Sequence, residues 1–140
     1  MEYLLKSEQE TKKFAQKISE KIKVGDVLAL YGDLGSGKTT FTRYLVDALG
    51  IDDRVQSPTF VIARKYSSDD LEVNHLDLYR LSSAGELEDI GLPEYFDQEN
   101  AVTLIEWPEI AESLLPKDTK KMEFEFIDEH VRRVKCTKFW

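Results

Sequence analysis

The chain has 140 residues, of which 41% are hydrophobic, and its 27 acidic and 19 basic side chains give a formal net charge of −8. This length suits one domain with a buried core and is too short for two ordinary ones, so we expect residues 1–140 to form a single domain. The acidic balance disfavours a free-standing nucleic-acid binder, because such a surface repels a phosphate backbone. The apolar runs are strand-sized, so we expect a cytoplasmic protein with no membrane span. The lone cysteine, Cys136, excludes an internal disulfide and is expected to be a buried thiol.

The first predicted elements are a helix, a strand and a second helix. Ser7 is a suitable N-cap, and apolar residues recur at helical spacing behind it, which predicts an amphipathic helix over residues 8–21. A short apolar strand over residues 27–31 leads into the glycine-rich stretch YGDLGSGKTT. Helical periodicity then continues through KTTFTRYLVDAL to Gly50, a residue type that commonly follows a helix end.

The rest of the chain is predicted to form two hairpins around a buried strand. The first hairpin pairs FVIARKY with LEVNHLD across SSDD, because both stretches alternate apolar and polar residues. Short helical or turn segments are predicted at AGELEDIG and LPEYFDQ, a buried central strand at AVTLIE, and a second hairpin at KMEFEF and VRRVKC. We therefore predict an α/β fold with a P-loop NTPase-like sheet, parallel around the glycine-rich loop, antiparallel at its margins and flanked by helices.

The glycine-rich stretch matches the phosphate-binding pattern G-x-x-x-x-G-K-[ST] in full. Its glycines permit close approach of backbone amides to an anion, and the helix that follows adds a favourable dipole. The lysine of the pattern is expected to contact the β- and γ-phosphates of ATP, and the threonine hydroxyl to bind Mg²⁺. The predicted nucleotide-binding residues of this loop are Gly32, Asp33, Leu34, Gly35, Ser36, Gly37, Lys38, Thr39 and Thr40.

Two carboxylates at predicted strand ends are candidates for the metal and for hydrolysis. They are Asp77 in HLDLYR and Glu106 in LIEWPE. Ligands of α/β sheets bind beyond the carboxyl ends of the strands, so both side chains can reach the loop. Either could instead be a helix cap or a solvated strand end. His75, on the same strand as Asp77, is expected to be packed or hydrogen-bonded rather than catalytic.

With GDLGSGKTTFTRYL, SPTF, HLDLYRL and IEWPE in this order, the sequence resembles the TsaE family of small bacterial P-loop ATPases. The resemblance extends from the first helix to the last hairpin. It implies an ATPase that works with TsaB and TsaD in the threonylcarbamoyl modification of adenosine 37 in tRNAs that read codons beginning with A. It further implies that ATP hydrolysis resets the complex between turnovers and that tRNA is contacted only indirectly, through the partners.

The resemblance also assigns roles to particular residues. It implies catalytic roles for Lys38, Asp77 and Glu106, with Mg²⁺ held by Glu106 together with Thr39. Thr59 of SPTF falls in a switch-like segment that could sense the γ-phosphate, although an ordinary turn would give the same pattern. Trp107 lies either beside the site or in the core. For the nucleoside, the resemblance points to the first helix near Ser7, Glu8 and Thr11 and to the turn of the last hairpin near Glu129 to Arg133, with Arg133 as the candidate contact of that turn.

Two other functions use the same phosphate loop. A small-molecule kinase needs a second substrate pocket and a lid that excludes water, and no lid-sized insertion is visible between the predicted elements. A nucleotide-controlled binding module would use ATP to stabilise a docking surface without useful turnover. A GTPase would require an N-K-x-D run, which the sequence lacks.

Overall fold

A seven-stranded mixed sheet flanked by helices organises the chain, which the computed structural model describes at residues 1–52, 55 and 63–137. The strands are β1 (Glu2–Leu5), β2 (Val27–Tyr31), β3 (Ala63–Ser67), β4 (Glu72–Asp77), β5 (Ala101–Glu106), β6 (Lys120–Phe126) and β7 (Arg132–Cys136). The helices are α1 (Glu8–Ser19), α2 (Lys38–Ala48), α3 (Ala84–Asp89), α4 (Leu92–Phe96) and a 3-10 helix at Pro108–Leu114. The predicted α/β class is confirmed.

The sheet is parallel at its centre and antiparallel at both margins, in the order β1-β7-β6-β2-β5-β4-β3. Strand β2 runs parallel to β5 and β6, and β4 runs parallel to β5. The pairs β3–β4 and β6–β7 are antiparallel, which confirms both predicted hairpins. The first hairpin is confirmed from residue 63 onward, because the start of FVIARKY and the SPTF segment lie outside the described residues.

Two hydrophobic clusters cover the two faces of the sheet. On one face, Phe14 of α1 and Phe41 of α2 pack against strand residues that include Leu104 and Phe124. On the other face, the short helices α3 and α4 and the 3-10 helix pack over residues such as Ile105. Successive strand residues point to opposite faces, so β5 contributes to both clusters and is buried along its whole length, as its apolar run predicts.

Local signals explain where the first two helices begin and end. The Ser7 hydroxyl accepts a hydrogen bond from the Glu10 amide at 3.1 Å, so Ser7 caps α1 as predicted, although the helix ends at Ser19 rather than at residue 21. Gly50 follows α2 with a φ of +83°, the left-handed conformation in which glycine commonly ends a helix. No described helix has the length and apolar composition needed to cross a bilayer.

Two elements were not predicted. Strand β1 pairs antiparallel with β7, and Glu2 lies opposite Lys135. The 3-10 helix begins at Pro108, directly after Trp107, whose φ of +55° turns the chain sharply away from β5. Both elements help to place groups near the glycine-rich loop. Strand β1 leads directly into α1, and the turn before the 3-10 helix is formed by Trp107, the residue after Glu106.

Candidate functional site

The glycine-rich loop joins β2 to α2 in a conformation that only glycine accommodates at two positions. A Cβ atom at residue 32 would lie 2.5 Å from the Phe124 carbonyl oxygen and 2.7 Å from the Ser36 Oγ, so a side chain has no room there. Gly37 caps α2 with a φ of +104°. The loop therefore turns tightly against β6 and delivers the amino end of α2 to the carboxyl edge of the sheet, where an anion is favoured.

Lys38, the first residue of α2, is buried and directed across this loop. Its Nζ donates a hydrogen bond to the Gly32 carbonyl and lies 4.0 Å from the centroid of the Trp107 ring. Trp107 therefore lies beside the site and in contact with its lysine. Burial lowers the pKa of Lys38, and the nearby carboxylates of Glu106 and Asp77 oppose that shift.

Asp77 and Glu106 end two adjacent parallel strands and lie directly opposite each other in the sheet. Both are buried, with 6% and 3% of their surfaces exposed, which rules out the alternative of solvated strand ends. The Asp77 Oδ1 accepts a hydrogen bond from the Tyr79 amide at 2.9 Å. Burial raises the pKa of Asp77; the Tyr79 hydrogen bond opposes this shift and the charge of Glu106 adds to it.

His75 lies behind the two carboxylates and contacts one of them. It is fully buried, and its Nε2 lies 2.5 Å from the Glu106 Oε2. Its other ring nitrogen, Nδ1, lies 3.1 Å from the hydroxyl oxygen of Tyr66. The prediction that His75 is packed and hydrogen-bonded is confirmed, whereas its contact with Glu106 had not been predicted.

A cavity of about 260 Å³ brings most of the predicted residues together. Residues 34–40, Asp77, Glu106, Trp107 and Arg132 line it. Gly32 and Asp33 form the base of the loop, where the Asp33 carbonyl accepts a hydrogen bond from the Ser36 amide at 3.1 Å. Thr59 lies outside the described residues, so its switch role stays a prediction.

A second cavity, of about 400 Å³, adjoins the first between α1 and the last hairpin. Glu8 and Thr11 line it, and Gly37, Thr40 and Arg132 line both cavities. The structure does not bring Arg133 here, because its guanidinium pairs with Glu2 at 3.0 Å and Glu125 at 2.9 Å.

Within the predicted turn from Glu129 to Arg133, it is Arg132 and not Arg133 that lines both cavities. Alternation along β7 sends neighbouring side chains to opposite faces of the sheet, and only the face of Arg132 looks toward the loop. Its terminal nitrogen donates to the carbonyls of Asp128 at 2.6 Å and Val131 at 3.1 Å, while its Nε is buried and has no partner in the part of the chain that the structure describes. The two adjacent arginines in VRRVKC indicate that an arginine of this strand can reach the loop, but the sequence does not show which of the two faces it.

The site's polar groups suit a polyphosphate and Mg²⁺. The Ser36 Oγ and the Arg132 Nε are both buried and have no hydrogen-bond partner among the described residues, so both have bonding capacity for a ligand. Hydroxyl and carboxylate oxygens of the kind that Mg²⁺ prefers are supplied by Thr39 and Glu106. Among the described residues, no group of three or more His, Cys, Asp or Glu side chains could hold a metal ion. A magnesium ion here would therefore depend on oxygens of the nucleotide and water as well.

Comparisons with known proteins point to one family. The sequence model of the family described as "Threonylcarbamoyl adenosine biosynthesis protein TsaE" matches residues 5–134. A Bacillus subtilis protein named tRNA threonylcarbamoyladenosine biosynthesis protein TsaE is 46% identical over 110 residues, which cover 79% of this chain and 68% of the relative. A Rickettsia bellii protein of the same name is 36% identical over 96% of this chain and 92% of its own. The crystal structure of YdiB from B. subtilis superposes with a TM-score of 0.79 at 33% identity, covering 96% of this chain and 82% of that one.

Proposed function

Because the chain belongs to the TsaE family of threonylcarbamoyl adenosine biosynthesis proteins, we propose that it is the ATPase that works with TsaB and TsaD in tRNA modification. The modified nucleoside is threonylcarbamoyladenosine at position 37 of tRNAs that read codons beginning with A, and ATP hydrolysis resets the complex between turnovers. The names of the relatives support the pathway. The observation that carries the ATPase assignment is the cavity that joins the phosphate loop to two buried carboxylates.

The two adjoining cavities support the placement of the whole nucleotide. The phosphates bind along the loop, where backbone amides, the amino end of α2 and the Lys38 ammonium group supply positive potential. The nucleoside extends into the second cavity, beside Glu8 and Thr11. Arg132 spans the junction, and its unpaired Nε–H donates to the ligand there.

Glu106 and Asp77 have different roles in this proposal. Glu106, with the Thr39 hydroxyl, holds Mg²⁺, which when bound neutralises charge on the phosphate oxygens. Asp77 accepts a hydrogen bond from the attacking water and orients it in line with the γ-phosphate. Each carboxylate has one oxygen held by the protein, since Asp77 accepts from the Tyr79 amide and Glu106 contacts His75, which supports a fixed orientation for both.

The proposal is tested by steady-state ATP hydrolysis with Mg²⁺, by the protein alone and with purified TsaB and TsaD. We expect the pair to stimulate turnover strongly and the complete mixture to form the modified nucleoside on tRNA. Lys38→Ala and Glu106→Ala should each lower the stimulated turnover by at least about 100-fold, since each removes electrostatic stabilisation of the transition state. Lys12→Ala, which removes an exposed lysine on α1, is the matched control and should leave turnover unchanged.

Two outcomes would contradict this assignment. Near-normal turnover of both Lys38→Ala and Glu106→Ala would refute the site. Tight ATP binding without turnover in the complete complex would favour a nucleotide-controlled binding module, in which bound ATP stabilises a docking surface.

A further inference from the structure

Three side chains from three adjacent strands form a buried hydrogen-bonded chain behind the candidate site. Tyr66 of β3 reaches His75 of β4, with 3.1 Å between its hydroxyl oxygen and the Nδ1. His75 in turn reaches Glu106 of β5, with 2.5 Å between the Nε2 and the Oε2. Their exposed fractions are 3%, 0% and 3%, so water does not compete for these contacts.

Donor and acceptor chemistry is satisfied at both ring nitrogens of His75. An ionised Glu106 carboxylate has acceptors only, so the Nε2 of His75 must carry the proton and donate it to the Oε2. The Nδ1 is paired with the Tyr66 hydroxyl, a group that can either donate or accept a hydrogen bond. Both ring nitrogens of His75 thus have a partner, and the orientation of the imidazole ring is held from both sides.

The anchored oxygen of Glu106 determines which oxygen the cavity receives. Because the Oε2 is held by His75, the Oε1 is the oxygen available to the cavity that Glu106 lines. Asp77 lies directly opposite Glu106 on the same face of the sheet, and the two negative charges repel each other. The contact with His75 therefore opposes rotation of the Glu106 carboxylate away from Asp77. Neither His75 nor Tyr66 lines the cavity.

We propose that His75 is a positioning residue for this site: it fixes the carboxylate of Glu106 in the orientation that receives the metal–nucleotide complex, and Tyr66 fixes His75. The inference rests on the ATPase function proposed above. It assigns a role to a hairpin strand, β3, that contributes no side chain to the described lining of the cavity. Residues that orient a ligand-bearing side chain typically affect metal affinity or activity by about 10- to 100-fold when replaced.

Two substitutions of His75 separate positioning from simple packing. Glutamine places its amide nitrogen about as far along the side chain as the Nε2 of histidine, so His75→Gln keeps a donor for Glu106. The asparagine side chain is shorter, and its amide reaches only about as far as the Nδ1 of histidine. His75→Asn therefore loses the donor that contacts Glu106. Tyr66→Phe removes only the hydroxyl at the far end of the chain and leaves the ring in place.

Two readouts are needed, one of which does not depend on turnover. The first is kcat and KM for ATP in the complex with TsaB and TsaD. The second is the affinity for ADP, measured by calorimetry on the protein alone with Mg²⁺ and again with EDTA. The ratio of these two affinities reports how well the protein holds the metal–nucleotide complex, and the affinity in EDTA also verifies that each variant is folded.

For His75→Asn we expect kcat to fall by about 10- to 100-fold and most of the Mg²⁺-dependent gain in ADP affinity to be lost. Its ADP affinity in EDTA should stay within about two-fold of the wild-type value, because His75 does not line the cavity, whereas its KM for ATP with Mg²⁺ should rise as the Mg²⁺-dependent affinity is lost. His75→Gln should recover most of both losses, and Tyr66→Phe should show a smaller fall than His75→Asn.

Wild-type kcat and wild-type Mg²⁺ dependence in His75→Asn would overturn the inference. Equal losses in His75→Asn and His75→Gln would also overturn it, because they would show that His75 acts only by filling space. If His75→Asn does not fold, wild-type values in Tyr66→Phe combined with losses in His75→Gln lead to the same conclusion. If the wild-type protein binds ADP with Mg²⁺ but does not hydrolyse ATP, the ATPase proposal fails while the Mg²⁺ readout still decides the role of His75. Failure of the wild-type protein to bind ADP would overturn both proposals.

Discussion

Replacement of Gly32 by alanine should destabilise the protein much more than the same replacement at Gly35, three residues along the same loop. Both glycines have a positive φ, +142° and +79°, so each alanine carries backbone strain of about 1–3 kcal/mol. Only at residue 32 does the new Cβ collide, at 2.5 Å from the Phe124 carbonyl oxygen, whereas a Cβ at residue 35 meets nothing within 4 Å. The carbonyl belongs to β6, which pairs directly with β2, so it cannot move without disturbing the sheet.

The collision should add about 1–3 kcal/mol, the usual cost of overpacking a well-packed site. With a urea dependence of about 2 kcal/mol per molar, the unfolding midpoint of Gly32→Ala should lie about 0.5–1.5 M below that of Gly35→Ala. Urea unfolding followed by far-ultraviolet circular dichroism measures both midpoints, and equal slopes verify that the comparison is one of stability. Coincident midpoints would refute the argument that the loop is pressed against β6 at Gly32.

Three further predictions follow from individual side chains. Arg132→Ala should weaken ADP binding, measured by calorimetry, by about 10-fold or more, because it removes a charge-assisted hydrogen bond. Arg133→Ala should leave the ADP affinity unchanged, and equal effects of the two substitutions would contradict the orientation of β7. Asp77→Asn should raise the free energy of unfolding at pH 7, because the raised pKa of Asp77 means that folding destabilises its ionised form. This gain in stability should shrink as the pH falls through the folded-state pKa of Asp77 and disappear below the ordinary value of 3.8, and a gain that does not depend on pH would contradict the reasoning. Cys136 is buried, and burial raises the pKa of its thiol, so a thiol reagent should label Cys136 only as fast as the protein opens. Rapid labelling of the native protein would show instead that β7 is exposed.

The parts of the fold that the sequence predicted are those specified by neighbouring residues. The phosphate loop, its flanking strand and helix, and both hairpins all depend on short-range patterns of glycine, alternation and helical spacing. Strand β1 could not be predicted in this way, because its four residues have no stable partner until β7 is placed beside them. The 3-10 helix likewise depends on the turn at Trp107, whose positive φ is unusual for a large side chain.

The site was predictable in composition but not in arrangement. Two carboxylates at strand ends were identifiable from the sequence, and the parallel register of β4 and β5 then places them opposite each other. Whether Arg132 or Arg133 faces the loop depends on the register of β7, which an alternating stretch with two adjacent arginines leaves open. The contact of His75 with Glu106 crosses between strands, and no local pattern in the sequence encodes such a pairing.

The pairing of β1 with β7 has a consequence for how this protein matures on the ribosome. The first residue is tied to the last strand by reciprocal hydrogen bonds, in which the Met1 amine donates to the Cys136 carbonyl at 2.9 Å and the Cys136 amide donates to the Met1 carbonyl at 2.8 Å. Strand β1 leads directly into α1, so the two walls of the cavity between α1 and the last hairpin come from segments far apart in the sequence. The phosphate loop can form early in synthesis, but this cavity closes only after β7 has emerged. Under the proposed function, bound nucleotide adds its full binding energy to folding only once residues 132–136 have been translated.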